Sequence, residues 1–258
     1  MKKQIVSTLM MAVFTLVFLL SAGMLLTYYG EGVRQQQAFR ALERITEQAN
    51  NHGGENSKTA AVQTEQSAKK NAAQEYNALK EKNPDFWGWI KINDTALSYP
   101  VMHTPEEPEY YLRRNYKGEW RTAGSLFLQS DCRLSGKTLI VYAHNMNDGS
   151  MFADIAGYTQ ETYWREHPII QCDSLTRQRE YEVMAVLQFK DSEQAAQDYY
   201  SVPRDEMNFT EYISRLADAA LYDTGIQAVW GDQILALSPC SRQDSDSRIL
   251  VIARKTGL

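Results

Sequence analysis

The chain has 258 residues, with 27 Lys+Arg, 32 Asp+Glu, 4 His and 3 Cys, a formal net charge of −5 and 43% hydrophobic residues. That length supports one large domain or two small ones, and an acidic balance without a basic block argues against nucleic-acid binding. The charges are uneven: Gln4 to Gly30 holds none, while residues 31–258 carry 25 Lys+Arg against 32 Asp+Glu, which argues against a plain cytosolic enzyme.

Ile5 to Tyr29 is an uncharged, largely apolar run. As a helix it would rise about 37 Å, enough to cross a hydrocarbon layer of about 30 Å with some tilt. Lys2 and Lys3 precede it, so the expected orientation keeps residues 1–4 in the cytoplasm and the C-terminal bulk outside. Tyr28 and Tyr29 suit the interfacial belt. A cleaved signal peptide is the competing reading. Its apolar core is shorter, about 7–15 residues, and ends in a small-residue site, whereas Ser21, Ala22 and Gly23 lie inside this run. The expectation is a retained anchor over 5–29.

Residues 30–82 read as a helical and flexible stalk that buries little. Glu31 to Ala49 is polar and helix-prone, Asn50 to Asn71 is a spacer rich in Asn, Gly, Ser, Gln and Thr, and Ala72 to Lys82 is a second helix ending before Asn83-Pro84. From residue 83 the texture changes to short β-prone runs between turn signals. The candidate strands are Trp89–Ile92, Ser125–Leu128, Thr138–Tyr142, Tyr181–Phe189, Ile226–Val229, Gln233–Leu237 and Arg248–Ala253. Phe209 to Tyr222 interrupts them with apolar residues at helical spacing. The fold class expected is mainly β with inserted helices, a barrel or a sandwich.

Cys132, Cys172 and Cys240 are odd in number, so at least one thiol stays free or pairs between chains. None belongs to a Cys-x-x-Cys pair and no His stands at ligand spacing from them, so neither a zinc site nor any other cofactor is called for. Gln233–Leu237 leads into Ser238-Pro239-Cys240. A polar connector, residues 241–247, then precedes a second strand from Arg248. Strands joined in this way form an antiparallel pair, which makes Cys240 and Arg248 neighbours at one sheet end. Arg248 shares a face with Leu250, Ile252 and Arg254, and a guanidinium beside apolar side chains needs an anionic or carbonyl partner. His144 follows the apolar strand Thr138–Tyr142 and precedes an Asn/Asp/Gly turn, a rim position. Each residue alone fits a structural role as well; the joint pattern of thiol, imidazole and guanidinium at strand ends suggests chemistry.

At this point the sequence resembles the class B sortases, membrane-anchored cysteine transpeptidases of Gram-positive bacteria. The resemblance spans about residues 84–258 through WGWIKI…YPV, YYLRRN, AGSLF, VYAHNMNDGSMF, QDYY and LALSPCSRQDSDSRILVIARK. It implies a sortase-type β-barrel over 83–258, with Cys240 as nucleophile, His144 as general acid/base and Arg248 holding substrate or oxyanion. It implies cleavage of a C-terminal sorting signal after Thr through a thioester, then transfer to an amine of peptidoglycan or of a pilin. The partners implied are a surface protein or pilin bearing the signal, the amine acceptor and the membrane.

Two positions depart from the family pattern. Thr-Leu-x-Thr-Cys is replaced by Ala236-Leu237-Ser238-Pro239-Cys240, and Ala143 stands where Gly commonly precedes the His. Pro239 has no N–H, so the backbone donors assigned to substrate are those of Ser238 and Ser241, the latter for the oxyanion. A tethered cysteine hydrolase, in which water resolves the thioester, and a silent surface-binding module are the alternatives.

Overall fold

The computed structural model describes residues 6, 10–24, 30, 76–133, 136–190, 199–201, 203, 205–240 and 247–257. The chain forms two compact units, Met1–Ala38 and Phe39–Leu258. In the first, residues 10–24 are helical. Their large apolar side chains are exposed all round the helix, Phe14 at 66% and Phe18 at 70% among them. Among the described residues no helix is long and apolar enough to cross a membrane. The described part of the expected 5–29 anchor is shorter than the roughly 20 residues a span needs. The spacer at 50–71 lies outside the described residues.

The second unit is built on eight strands: β1 (Phe86–Lys91), β2 (Ser98–Met102), β3 (Leu126–Leu128), β4 (Thr138–His144), β5 (Ile169–Ser174), β6 (Glu180–Lys190), β7 (Ile234–Cys240) and β8 (Ser247–Lys255). They close a barrel in the order β1-β2-β3-β4-β7-β8-β6-β5. The barrel, rather than a sandwich, realises the mainly-β expectation, and closure leaves no unpaired edge. Leu139, Val141, Leu235, Leu237, Val251 and Ala253 are fully buried, so β4, β7 and β8 are the centre of the core.

Six expected strands are present. Two observed ones, β2 and β5, were not expected, and Ile226–Val229 forms no strand. The inserted helix is Glu206–Ala219, begun by Asp205, whose carboxylate accepts from the Asn208 N–H at 3.0 Å. It buries Phe209, Tyr212, Ile213 and Leu216, an i, i+3, i+4, i+7 stripe. It ends before the expected Tyr222 because the chain there bonds to β6: Leu221 N–H donates to the Val186 carbonyl at 2.8 Å.

The helix at 76–82 corrects the expectation that the stalk buries little. Tyr76 and Leu79 are buried in the core, and the Tyr76 hydroxyl donates to Asp173 on β5 at 3.0 Å. The Tyr116 hydroxyl also donates to the Leu79 carbonyl, so buried side chains and two long-range hydrogen bonds dock this short helix on the barrel wall.

Candidate active site

Register assembles the site. β4 and β7 run parallel from Thr138↔Ile234 to Ala143↔Pro239 and His144↔Cys240. Register partners project to the same face, on strands about 4.8 Å apart, so the imidazole and the thiol are side by side. β7 and β8 are antiparallel, with Ile234↔Arg254 through Leu237↔Val251 paired. The same count continued brings Cys240 level with Arg248. The paired ladder stops two residues short of Pro239, whose ring nitrogen has no hydrogen to give. On the far side of β8, Arg248 is level with Phe189 of β6. His144, Cys240, Arg248 and Phe189 thus make one row across four neighbouring strands.

A second row lies beneath it. Tyr142 is the register partner of Ser238. The Ser238 hydroxyl, fully buried, shares a 2.8 Å hydrogen bond with the Tyr200 hydroxyl. Tyr200 stacks on Tyr142, ring centroids 6.2 Å apart, and meets Phe189 edge-on at 6.3 Å. Ser238 therefore contributes a structural hydroxyl to an aromatic floor. Ser241, the other expected backbone donor, lies outside the described residues.

The 3₁₀ helix Tyr110–Arg113 forms one wall. His144 Nε2 is 3.0 Å from the Leu112 carbonyl oxygen. Arg113 donates through Nη1 to the Thr122 carbonyl at 2.9 Å. The stretch YYLRRN, residues 110–115, carries part of the family resemblance, but its pattern gives no sign of a place at the site. A backbone carbonyl leaves no mark in a sequence, and Arg113 sits in a segment with neither strand alternation nor helical stripe.

Burial is the largest influence on the Cys240 thiol and pushes it up, opposed by the guanidiniums of Arg248 and then Arg113, while the Glu109 carboxylate adds to the rise. Burial also dominates at His144 and pushes it down, helped by Arg113 and opposed by the hydrogen bond to Leu112. Both directions favour the uncharged forms, thiol and neutral imidazole. The guanidiniums of Arg248 and Arg113 are the charges that favour the thiolate over the thiol. The other two thiols are more deeply buried. Cys132 is buried and pushed up to about 11 by burial, and Cys172 is pushed up further in full burial.

No family model matches the chain. Among curated proteins it is similar to sortase B of Listeria monocytogenes, 30% identical over 187 residues that cover 70% of this chain and 73% of that one. The chain belongs to the sortase B family. Family membership carries cysteine transpeptidase activity in general terms. Among solved structures, a substrate complex of Staphylococcus aureus sortase B has a TM-score of 0.73 at 20% identity, covering 88% of this chain and 99% of that one. A sortase B complexed with triglycine has a TM-score of 0.65 at 22% identity, covering 72% and 87%. These two likenesses concern the barrel fold alone.

Proposed function

We propose that this sortase cleaves a C-terminal sorting signal after Thr and transfers the acyl group to an amine of peptidoglycan or of a pilin. The observation that carries the reading is the register pairing of His144 with Cys240 on parallel strands, with Arg248 level with the thiol on the next strand.

In the proposed sequence His144 takes the thiol proton as Cys240 sulfur adds to the Thr carbonyl carbon. Arg248 faces the developing oxyanion, a contact a planar guanidinium makes better than an ammonium. The C–N bond breaks as His144 returns that proton to the leaving amine, and a thioester remains. The incoming amine nitrogen then adds to the thioester carbonyl carbon and gives a proton to His144; as the new C–N bond is kept the C–S bond breaks, and the sulfur recovers the proton. No proton is gained or lost over the cycle. A substrate and a triglycine ligand, bound in two solved sortase B structures, support a peptide donor and an amine acceptor for this chain too.

The membrane anchor over 5–29 belongs to the same proposal. A helix apolar all round needs an apolar environment, and the described residues 10–24 expose large apolar side chains on every side.

The test is mass analysis of products from the full chain in detergent with Pro-Thr-containing pentapeptides, with and without triglycine. Wild type forms the triglycine adduct, and Cys240→Ala forms neither adduct nor thioester. Cleavage without any adduct would favour the hydrolase, and cleavage by Cys240→Ala would place the nucleophile elsewhere.

A further inference from the structure

The last carbonyls of a helix have no partner within it and must find one outside. In the 3₁₀ helix Tyr110–Arg113 and the residue that follows, four successive carbonyls solve this differently. Tyr111 O accepts from the Ser125 N–H at 3.1 Å, Arg113 O from the Arg121 N–H at 2.9 Å, and Arg114 O from the Ser125 hydroxyl at 3.0 Å. These three donors belong to the returning segment, residues 121–125, and Tyr111 O also takes the Arg114 N–H that closes the helix, at 3.4 Å. Leu112 O, alone of the four, faces His144 Nε2, at 3.0 Å. A carbonyl oxygen can only accept, so this contact requires the hydrogen to be on Nε2.

The returning segment also presses on that carbonyl. Gly124 has φ +61, and a Cβ there would lie 2.4 Å from Leu112 O, 2.7 Å from Tyr111 O and 2.8 Å from the Leu112 carbonyl carbon. A side chain at 124 must displace the very group that His144 uses.

We propose that Gly124 and the Leu112 carbonyl are a backbone positioning device that holds His144 as the Nε2–H tautomer, leaving Nδ1 as the nitrogen that exchanges protons in the reaction. The inference rests on the reading of His144 as general acid/base. Nδ1 takes a proton from the thiol or from the incoming amine and gives it back to the leaving amine or to sulfur. Nε2–H stays on Leu112 O throughout. When Nδ1 is protonated the ring is cationic and the Nε2–H···O bond becomes charge-assisted, so the carbonyl stabilises the imidazolium as it forms. That stabilisation opposes burial and Arg113, which both disfavour the cation. A half-buried imidazole near a guanidinium can in this way still accept a proton.

The tautomer is read directly from two-bond ¹H–¹⁵N correlations of the full chain labelled at histidine, in detergent, at a pH where His144 is neutral. His144→Gln identifies its signals. A single Nε2–H form at His144 is expected, and the Nδ1–H form or an even mixture overturns the proposal. Gly124→Ala is expected to give mixed tautomers, to move the acidic limb of the kcat/KM profile to lower pH, and to lower kcat about 10²-fold with KM little changed. Ser125→Ala, which removes the donor to Arg114 O, is expected to lower Tm and leave tautomer and limb in place. Gly124→Ala that loses activity with tautomer and limb unmoved would reduce Gly124 to a folding role and overturn the proposal. If that variant does not fold, the wild-type spectrum alone decides. A fully active His144→Gln would overturn the acid/base reading instead, whatever the tautomer.

Discussion

Three sulfurs in one chain show how environment sets reactivity. Cys132 and Cys172 are sealed in the barrel, and Cys132 sulfur accepts from the Ile140 N–H at 3.3 Å. Cys240 is also pushed up by burial, yet it alone of the three has two guanidiniums acting to hold the thiolate. Those two arginines are separable. Arg248 acts on the thiol, whereas Arg113 acts on both thiol and imidazole. Removing a cation raises the thiol, because the thiolate loses its stabiliser. It also raises the imidazole, because the imidazolium loses a repulsion. Arg113→Ala should therefore move both limbs of the kcat/KM profile to higher pH, while Arg248→Gln moves only the alkaline limb and lowers kcat about 10²–10³-fold as an oxyanion donor is lost. The alkylation rate of Cys240 by iodoacetamide, followed against pH, checks the thiol limb without substrate. An unmoved acidic limb in Arg113→Ala would separate that arginine from His144.

The strands were legible where composition and pairing agree and illegible where they conflict. β4 and β8 are rich in β-branched apolar residues and β7 opens on the apolar run Ile234–Leu237, each with turn signals nearby, so both the strands and the rim residues His144, Cys240 and Arg248 could be read from the chain. β2 was missed because Pro100 sits in its middle, and proline argues against a strand unless a neighbour does not need its N–H. Here Pro100 is level with Trp89 of β1, while the parallel ladder to β3 uses Val101 and Met102. β5 alternates cleanly in burial but offers only Ile169 and Ile170 as β-branched residues. Ile226–Val229 has strand composition but pairs with no strand among the described residues. Leu112, Arg113 and Gly124 were hidden for another reason, since their contribution is a carbonyl direction, a distant charge and a missing side chain. Gly88 is a glycine of the same kind at the level of the sheet. A Cβ there would lie 2.0 Å from the Asp173 carbonyl oxygen on β5, next to the irregularity between Phe86 and Gly88 in the pairing of β1 with β2. Gly88→Ala must force β1 and β5 apart, and about 1–3 kcal/mol of destabilisation is expected from such overpacking. A denaturation midpoint unchanged from wild type would mean that the two strands have slack at this crossing.

At the scale of the whole molecule, the described strands close a barrel with no full-length free edge, and β7 and β8 part only beyond Leu237. The reactive row lies across the ends of β4, β7 and β8. The proposed tether would serve such a site by raising the effective concentration of a membrane-delivered substrate without any added contact. In the proposed topology Lys2 and Lys3 stay in the cytoplasm and the barrel is outside. The three thiols allow this orientation to be tested in intact cells. Cys132 and Cys172 are buried, and Cys240 is only partly so. A membrane-impermeant maleimide applied to cells producing the full chain should therefore label wild type and leave Cys240→Ala unlabelled. Labelling of wild type that appears only after lysis would put the barrel on the cytoplasmic side and end the proposed orientation. Equal labelling of Cys240→Ala would instead show that a core thiol is accessible and that the barrel opens on the timescale of the reaction. The two failures differ in their dependence on lysis, so one gel with and without lysis tells topology from opening.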